Sequence, residues 1–166
     1  PMPAVYPTQI IGPFPDLVYS MAVSPNGKEL AVASGNVAAG GRGLISFWDI
    51  QSGREISRKS VDAKPISLDY HPAGKLLAVG TQDGYIYTIQ PDSSGGQFST
   101  RIDAAQHSAN VYRVSFSTDG SRMVSASKDA TLRVWNTEDW TCEQTVQSHL
   151  RRVYAAEFCP GNLMFA

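Results

Sequence analysis

Residues 107–136 read HSANVYRVSFSTDGSRMVSASKDATLRVWN and consist of short apolar runs divided by turn residues. The first run ends at Phe116 and is followed by the four-residue turn STDG. Similar turns follow apolar runs elsewhere in the chain: SPNG at 24–27, HPAG at 71–74 and CPGN at 159–162. Successive turns start 47, 46 and 42 residues apart. A period of this length predicts a repeat architecture in which each unit buries its apolar surface on its neighbours.

The composition is that of a globular domain: the 166 residues are 42% hydrophobic and 17% charged. The formal net charge is −1, which lacks the basic excess typical of nucleic-acid-binding proteins, so nucleic acid is not the expected partner. The longest apolar runs are much shorter than the ~20 residues needed to cross a bilayer. Cys142 and Cys159 lie outside any CxxC spacing, and no signal segment is recognisable. We therefore expect a cytosolic or nuclear protein with no membrane partner.

Each unit reads as four short strands rich in Val, Ile, Tyr and Thr. The predicted strands are 18–23, 29–34, 44–49 and 55–61, then 66–70, 75–80, 85–90 and 97–103, and finally 111–116, 122–127, 131–135 and 142–147. No amphipathic helix of credible length interrupts them. Evenly spaced short strands with frequent turns predict an all-β propeller rather than a sandwich.

The segment from His107 to Asn136 resembles a repeat of the WD-repeat β-propeller family. The resemblance implies a structural tetrad, a buried hydrogen-bonded set formed by His107, Ser127, Asp129 and Trp135. The other units keep parts of the same pattern. The first has the dipeptide Trp48-Asp49 but Arg42 at the turn-aspartate position, and the second has Asp83 but Ile89 in place of Trp and Asp62 in place of His.

The resemblance covers the chain from Val5 onward and implies an incomplete propeller over 1–166. We predict blades at 17–61, 65–103 and 110–147, the outer strand of a preceding blade at 5–11, and the start of a further blade at 151–166. Closure normally hides each blade face against the next. We therefore expect the rest of the propeller to come from the same longer chain or from a second chain.

Residues with catalytic or metal-binding character have structural explanations in this architecture. His107, Asp129 and either Ser127 or Ser125 could be arranged as base, orienter and nucleophile, but nothing indicates an oxyanion hole. His71, His107 and His149 occur once per repeat, without HxxxH spacing. The glycine-rich segment 35–43 matches no phosphate-binding motif. We predict no catalytic residues, no metal site and no cofactor.

Alignment of the repeats on their turns gives a column at the second residue of each first strand: Tyr19, Ile66, Tyr112 and Tyr154. In the resembled family this column lies near the top of the central channel, where partner peptides dock. Lys64, Asn110 and Arg152 lie two positions earlier in their units, and Lys128 precedes the turn aspartate. These eight residues define the upper rim. Tyr and Arg often concentrate binding energy at interfaces, although the tyrosines could equally pack between blades and the charges could be ordinary solvated loop residues.

We predict a non-catalytic scaffold or adaptor, a subunit of a larger complex that binds partner proteins through the upper rim. The cations there favour acidic or phosphorylated peptides. One alternative is a substrate- or phosphopeptide-recognition subunit, such as that of a ubiquitin ligase. A propeller enzyme is a more remote alternative. Trp140 stands at a turn tip where glycine would be expected, either as a second contact or as a cover for the lower edge of its blade.

Overall fold

The computed structural model describes residues 11–14, 16–35, 43–91, 99–102, 106–147, 150–159 and 163–165. Across these ranges the regular structure is entirely β, so it contains no helix that could cross a membrane. The described residues form fourteen strands: β1 Val18–Val23, β2 Glu29–Ser34, β3 Gly43–Asp49, β4 Glu55–Val61, β5 Pro65–Tyr70, β6 Leu77–Thr81, β7 Ile86–Ile89, β8 Ser99–Ile102, β9 Val111–Phe116, β10 Arg122–Ser127, β11 Leu132–Asn136, β12 Cys142–Val146, β13 Glu157–Cys159 and β14 Leu163–Phe165.

The strands form consecutive antiparallel sheets. The first three sheets each contain four strands in chain order, β1 to β4, β5 to β8 and β9 to β12, while β13 pairs with β14 alone. Hairpin turns connect neighbours, as at Ser24–Gly27, where the Gly27 amide donates to the Ser24 carbonyl at 2.8 Å. The all-β fold and its partial propeller architecture, predicted from the repeat, are therefore confirmed.

The hydrophobic core lies between adjacent sheets. One cluster joins the first and second sheets through Phe47, Leu68 and Leu77, and a second joins the second and third sheets through Ile86, Val111 and Trp135. A third cluster packs Val124 and Leu132 against Val153 and Ala156. A sheet between two neighbours is buried on both faces, which explains why every residue of β6 and β7 is buried.

The first strands of the sheets, β1, β5, β9 and β13, lie side by side. Side chains link each of them to the next. Ser20 Oγ accepts from the Leu68 amide at 3.1 Å, Asp69 Oδ2 accepts from the Phe116 amide at 2.7 Å, and Arg113 pairs with Glu157. Burial raises the pKa of the Asp69 carboxyl, and the Phe116 amide and the Arg113 charge oppose that shift. The inner strands are thus joined by polar side chains as well as by the packed sheet faces.

The last unit differs from its prediction. Tyr154 was expected within a first strand, but β13 begins only at Glu157. The register explains this difference, because Phe165 of β14 pairs with Glu157 and the residues before Glu157 have no described partner strand. The predicted outer strand at 5–11 lies outside the described residues except for Ile11, and Arg42 and His149 also lie outside them.

Candidate functional site at the upper rim

A buried hydrogen-bond chain crosses the third sheet beneath the upper rim. Trp135 Nε1 donates to Ser125 Oγ at 2.9 Å, and Ser125 Oγ lies 2.7 Å from His107 Nε2. His107 Nδ1 lies 3.0 Å from Asp129 Oδ2. Since a carboxylate only accepts, these partners assign the ring proton to Nδ1 and leave Nε2 to accept from Ser125. The chain ties the loop before β9 to β10 and β11.

The serine in this chain is Ser125, so the assignment of Ser127 is corrected. Ser127 Oγ instead donates to the Ala109 carbonyl at 3.1 Å and accepts from the Asp129 amide at 3.1 Å. In the register between β10 and β11, Met123 faces Trp135, so Ser125 lies two residues from that pair and Ser127 lies four residues away. Ser127 therefore holds the turn that follows β10 rather than joining Trp135 to His107.

Asp129 anchors the turn between β10 and β11. Its Oδ1 accepts from Thr131 Oγ1 at 2.6 Å, and its Oδ2 accepts from the Ser108 amide at 3.0 Å as well as from His107. Burial disfavours ionisation of Asp129, but the bonds from Thr131 and His107 outweigh it and lower its pKa to about 2. Burial lowers the pKa of His107, with partial opposition from Asp129. The imidazole ring of His107 is therefore neutral, and the carboxyl group of Asp129 is ionised.

The other two units use different polar contacts at the corresponding places. Trp48 Nε1 donates to Ser46 Oγ, at 2.9 Å, on its own strand. In the second unit Asp83 accepts from Thr81 Oγ1, and its carbonyl accepts from Gln106 Nε2 at 2.9 Å. Only the third unit, among the described residues, carries the full chain from tryptophan to carboxylate.

The serine, histidine and carboxylate of the third unit do not present an accessible nucleophile. Ser125 and His107 are both 0% exposed, and Ser125 Oγ is enclosed by His107 and Trp135. Within the described ranges, no cluster of three His, Cys, Asp or Glu side chains is placed to hold a metal ion. The geometry supports a structural role for this set rather than a reactive one.

The aromatic residues of the upper rim occur in two pairings. Lys64 Nζ lies 3.9 Å from the centroid of the Tyr19 ring, close enough for a cation–π interaction. Tyr112 and Tyr154 stack with their centroids 5.0 Å apart and an angle of 18° between the rings. Tyr154 is 65% exposed, so one face of this pair is accessible to solvent. The tyrosines therefore pack against neighbouring units and still form part of the surface.

The remaining rim residues fall on the same side of the sheets. The Asn110 carbonyl accepts from the Lys128 amide at 2.9 Å, which places Lys128 directly above the start of β9. Ile66 and Asn110 are half-buried, whereas Lys128 and Arg152 are exposed. The structure therefore brings Lys128, Arg152 and Tyr154 together and leaves Tyr19 and Lys64 as a separate pair.

A cavity of about 620 Å³ lies among these loops. Its lining residues are Lys128, Asp129, Ala130, Leu150, Arg151, Arg152 and Tyr154. The volume is in the range of small-ligand and side-chain pockets. Sequence reasoning missed Leu150 and Ala130, because neither is polar and neither belongs to the repeated column. Leu150 is nevertheless fully exposed, an unusual state for a leucine beside a pocket.

Comparison with known proteins gives one family and several relatives. The sequence model for the family "WD domain, G-beta repeat" matches residues 58–88 and 100–136. The LST8 homolog of Drosophila melanogaster is 30% identical over 130 residues, which cover 75% of this chain and 39% of that protein. Protein hir-1 of Neurospora crassa is 26% identical, over 90% of this chain and 16% of that protein. The structure of U3-55K superposes with a TM-score of 0.76 at 18% identity, covering 90% of this chain and 45% of that one.

The chain therefore spans less than half the length of each of these proteins. The structural likeness concerns the fold, because the identity is low. The second segment that the sequence model matches, 100–136, contains the buried set of His107, Ser125, Asp129 and Trp135. The chain belongs to the WD-repeat β-propeller family.

Proposed function

We propose that this chain is part of a non-catalytic scaffold or adaptor that binds partner proteins through the upper rim. WD-repeat propellers are generally non-catalytic scaffolds, which supports the class of function. The observation that carries the proposal is the stacked pair of Tyr112 and Tyr154 beside the cavity that contains Lys128 and Arg152. Rigid aromatic rings next to arginine are typical of the centres of protein interfaces.

The charges at this site favour a partner segment with acidic character. Lys128, Arg151 and Arg152 surround the cavity, and carboxylates are the natural partners of such cations. The proposal places the protein in the cytoplasm or nucleus, as a subunit of a larger complex. An enzymatic role has no support from Ser125 and His107, because both are buried in the chain that leads to Trp135.

Affinity capture with the intact protein tests this proposal. Tyr112→Ala removes the ring that supports Tyr154, so we expect recovered partners to fall by about thirtyfold, equivalent to about 2 kcal/mol for a central interface residue. Ile56→Ala is the matched control, because Ile56 is 56% exposed on β4, away from the rim. Circular dichroism should show both variants folded. Equal recovery of partners by wild-type protein and Tyr112→Ala would contradict the proposal.

A further inference from the structure

The cavity at the upper rim contains an unusual excess of unpaired positive charge. Three other arginines among the described residues pair with glutamates: Arg58 with Glu55, Arg113 with Glu157 and Arg122 with Glu143. In contrast, no carboxylate among the described residues forms an ion pair with Lys128, Arg151 or Arg152. All three of these residues line the same cavity.

Asp129 is the only carboxylate among the described residues that line the cavity, and its oxygens are already used in hydrogen bonds within the fold. Both of its oxygens accept hydrogen bonds, Oδ1 from Thr131 and Oδ2 from His107 and the Ser108 amide. Its side chain is 7% exposed. The described lining residues thus carry three positive formal charges and one negative charge, a net charge of +2. Such a site attracts an anion of higher charge than a single carboxylate.

Two apolar residues also line the cavity. Leu150 is 101% exposed in a loop that also carries Arg151 and Arg152, and Ala130 lies on the turn after β10. Ala130 has a φ of 68°, a left-handed conformation that glycine adopts more easily. The site therefore combines cations with exposed apolar surface, which suits an anionic group adjoining an apolar side chain.

We propose that this cavity binds a phosphorylated side chain of a partner segment, with a neighbouring apolar side chain placed on Leu150. A phosphomonoester carries a charge of about −1.5 to −2 at neutral pH and three acceptor oxygens, which match a site of net charge +2 with two guanidinium groups. A carboxylate would leave one of the positive charges uncompensated. This inference rests on the proposed function and specifies the chemistry of the partner at the same rim.

The test uses immobilised degenerate peptides with a fixed central phosphoserine followed by leucine, and the same peptides with unmodified serine. We expect the 166-residue chain to bind the phosphorylated set at least about tenfold more strongly, as new charge-assisted hydrogen bonds form. Arg152→Glu should reduce that ratio to near one, and Arg152→Lys should retain part of it. Arg54→Glu is the matched control, because it makes the same charge change on the exposed turn between β3 and β4, at the other end of the sheet.

Equal binding of both peptide sets would overturn the inference. Preference for vesicles containing phosphatidylserine, with no preference for phosphopeptides, would also overturn it and would indicate a membrane surface as the ligand. One further result would contradict this inference without contradicting the proposed function. If Tyr112→Ala abolishes capture of partners while Arg152→Glu leaves capture unchanged, the rim is an interface without a phosphate site.

Discussion

His107 is a buried histidine that the third sheet keeps neutral. Its side chain is fully buried and lies between Ser125 and Asp129. Burial lowers its pKa from the ordinary value of 6.5, so the folded protein resists protonation of this ring. Asp129 has its pKa lowered to about 2, so the folded state favours its ionised form. Both shifts make the folded state bind fewer protons than the unfolded chain in acid.

The linkage between protons and folding predicts a loss of stability in two stages as the pH falls. Below pH 6.5 the unfolded histidine takes up a proton that folded His107 refuses, at a cost of at most about 1.4 kcal/mol per pH unit. The stabilisation from Asp129 is complete above its ordinary pKa of 3.8 and is lost as the pH falls from there towards 2. Urea denaturation between pH 7.5 and 5 measures the first stage.

His107→Gln is the variant that isolates this effect. It lowers stability at every pH, because Ser125 and Asp129 lose partners, but its free energy of unfolding should depend less on pH between 7.5 and 5 than that of the wild type. The slopes, rather than the absolute values, are compared. Parallel pH profiles for the two proteins would show that His107 does not resist protonation in the folded state.

The sequence alone does not determine which serine, Ser125 or Ser127, belongs to the buried set. Residues two apart on a strand point to the same face, so a serine at either position satisfies the pattern of alternation. The register between β10 and β11 decides the matter, because Met123 faces Trp135 and Ser125 is therefore closer to that ring than Ser127 is. The sequence predicts the types of residue in the buried set but not their alignment.

At the level of elements, the turns between strands are also only partly predictable from the sequence. Gly84 and Ala130 occupy corresponding turn positions and have φ angles of 90° and 68°. A methyl group at Gly84 would lie 2.1 Å from the His107 carbonyl oxygen, so glycine is required there. Trp140, with a φ of 59°, occupies the position that corresponds to Gly53 in the first unit. The centroid of its ring lies 6.4 Å from the centroid of the Phe116 ring. The sequence therefore predicts where the turns lie, but not which groups of the folded protein pack against them.

Lys59 on β4 joins two sheets and was not recognised from the sequence. It is 7% exposed, and its Nζ donates to the carbonyls of Gln90 and Pro91 at 2.6 and 3.2 Å. Lys59→Met keeps the apolar stem but leaves these carbonyls without their charged donor. We expect a loss of about 2 kcal/mol in the free energy of unfolding, as for hydrogen bonds to charged groups. Urea denaturation provides the measurement.

Lys28→Met is the control for Lys59→Met, since Lys28 is exposed on the turn between β1 and β2. Its effect should stay within about 0.5 kcal/mol, as is usual for surface substitutions. If the two variants were equally stable, the bonds from Lys59 to the second sheet would contribute nothing to folding.

At the scale of the whole molecule, the repeat predicts the sheets better than it predicts the site. Turn spacing and apolar runs are local, so the ends of β1 to β12 lie within two residues of their predictions. The cavity depends instead on two loops that meet only after the sheets have packed, the turn around Asp129 and the segment around Arg151. Lys128, Arg152 and Tyr154 could be predicted from their residue types and their positions in the aligned repeats. The exposed Leu150 in the cavity lining could be recognised only from the folded structure.

The face of the first sheet that points away from the second is apolar and open. Met21 and Val23 are 59% and 55% exposed, whereas their counterparts in the second and third units, Leu68, Tyr70, Val114 and Phe116, are at most 7% exposed. A patch of this kind on an isolated protein favours association.

We therefore expect the 18.0 kDa chain to self-associate as its concentration rises, in sedimentation velocity experiments. The double variant Met21→Glu, Val23→Glu should shift the equilibrium to monomer, because association would bury the new charges. Ile56→Glu adds a charge on the exposed side of β4 and should leave association unchanged. A wild-type chain that stays monomeric at the highest concentration would show that this face needs no cover.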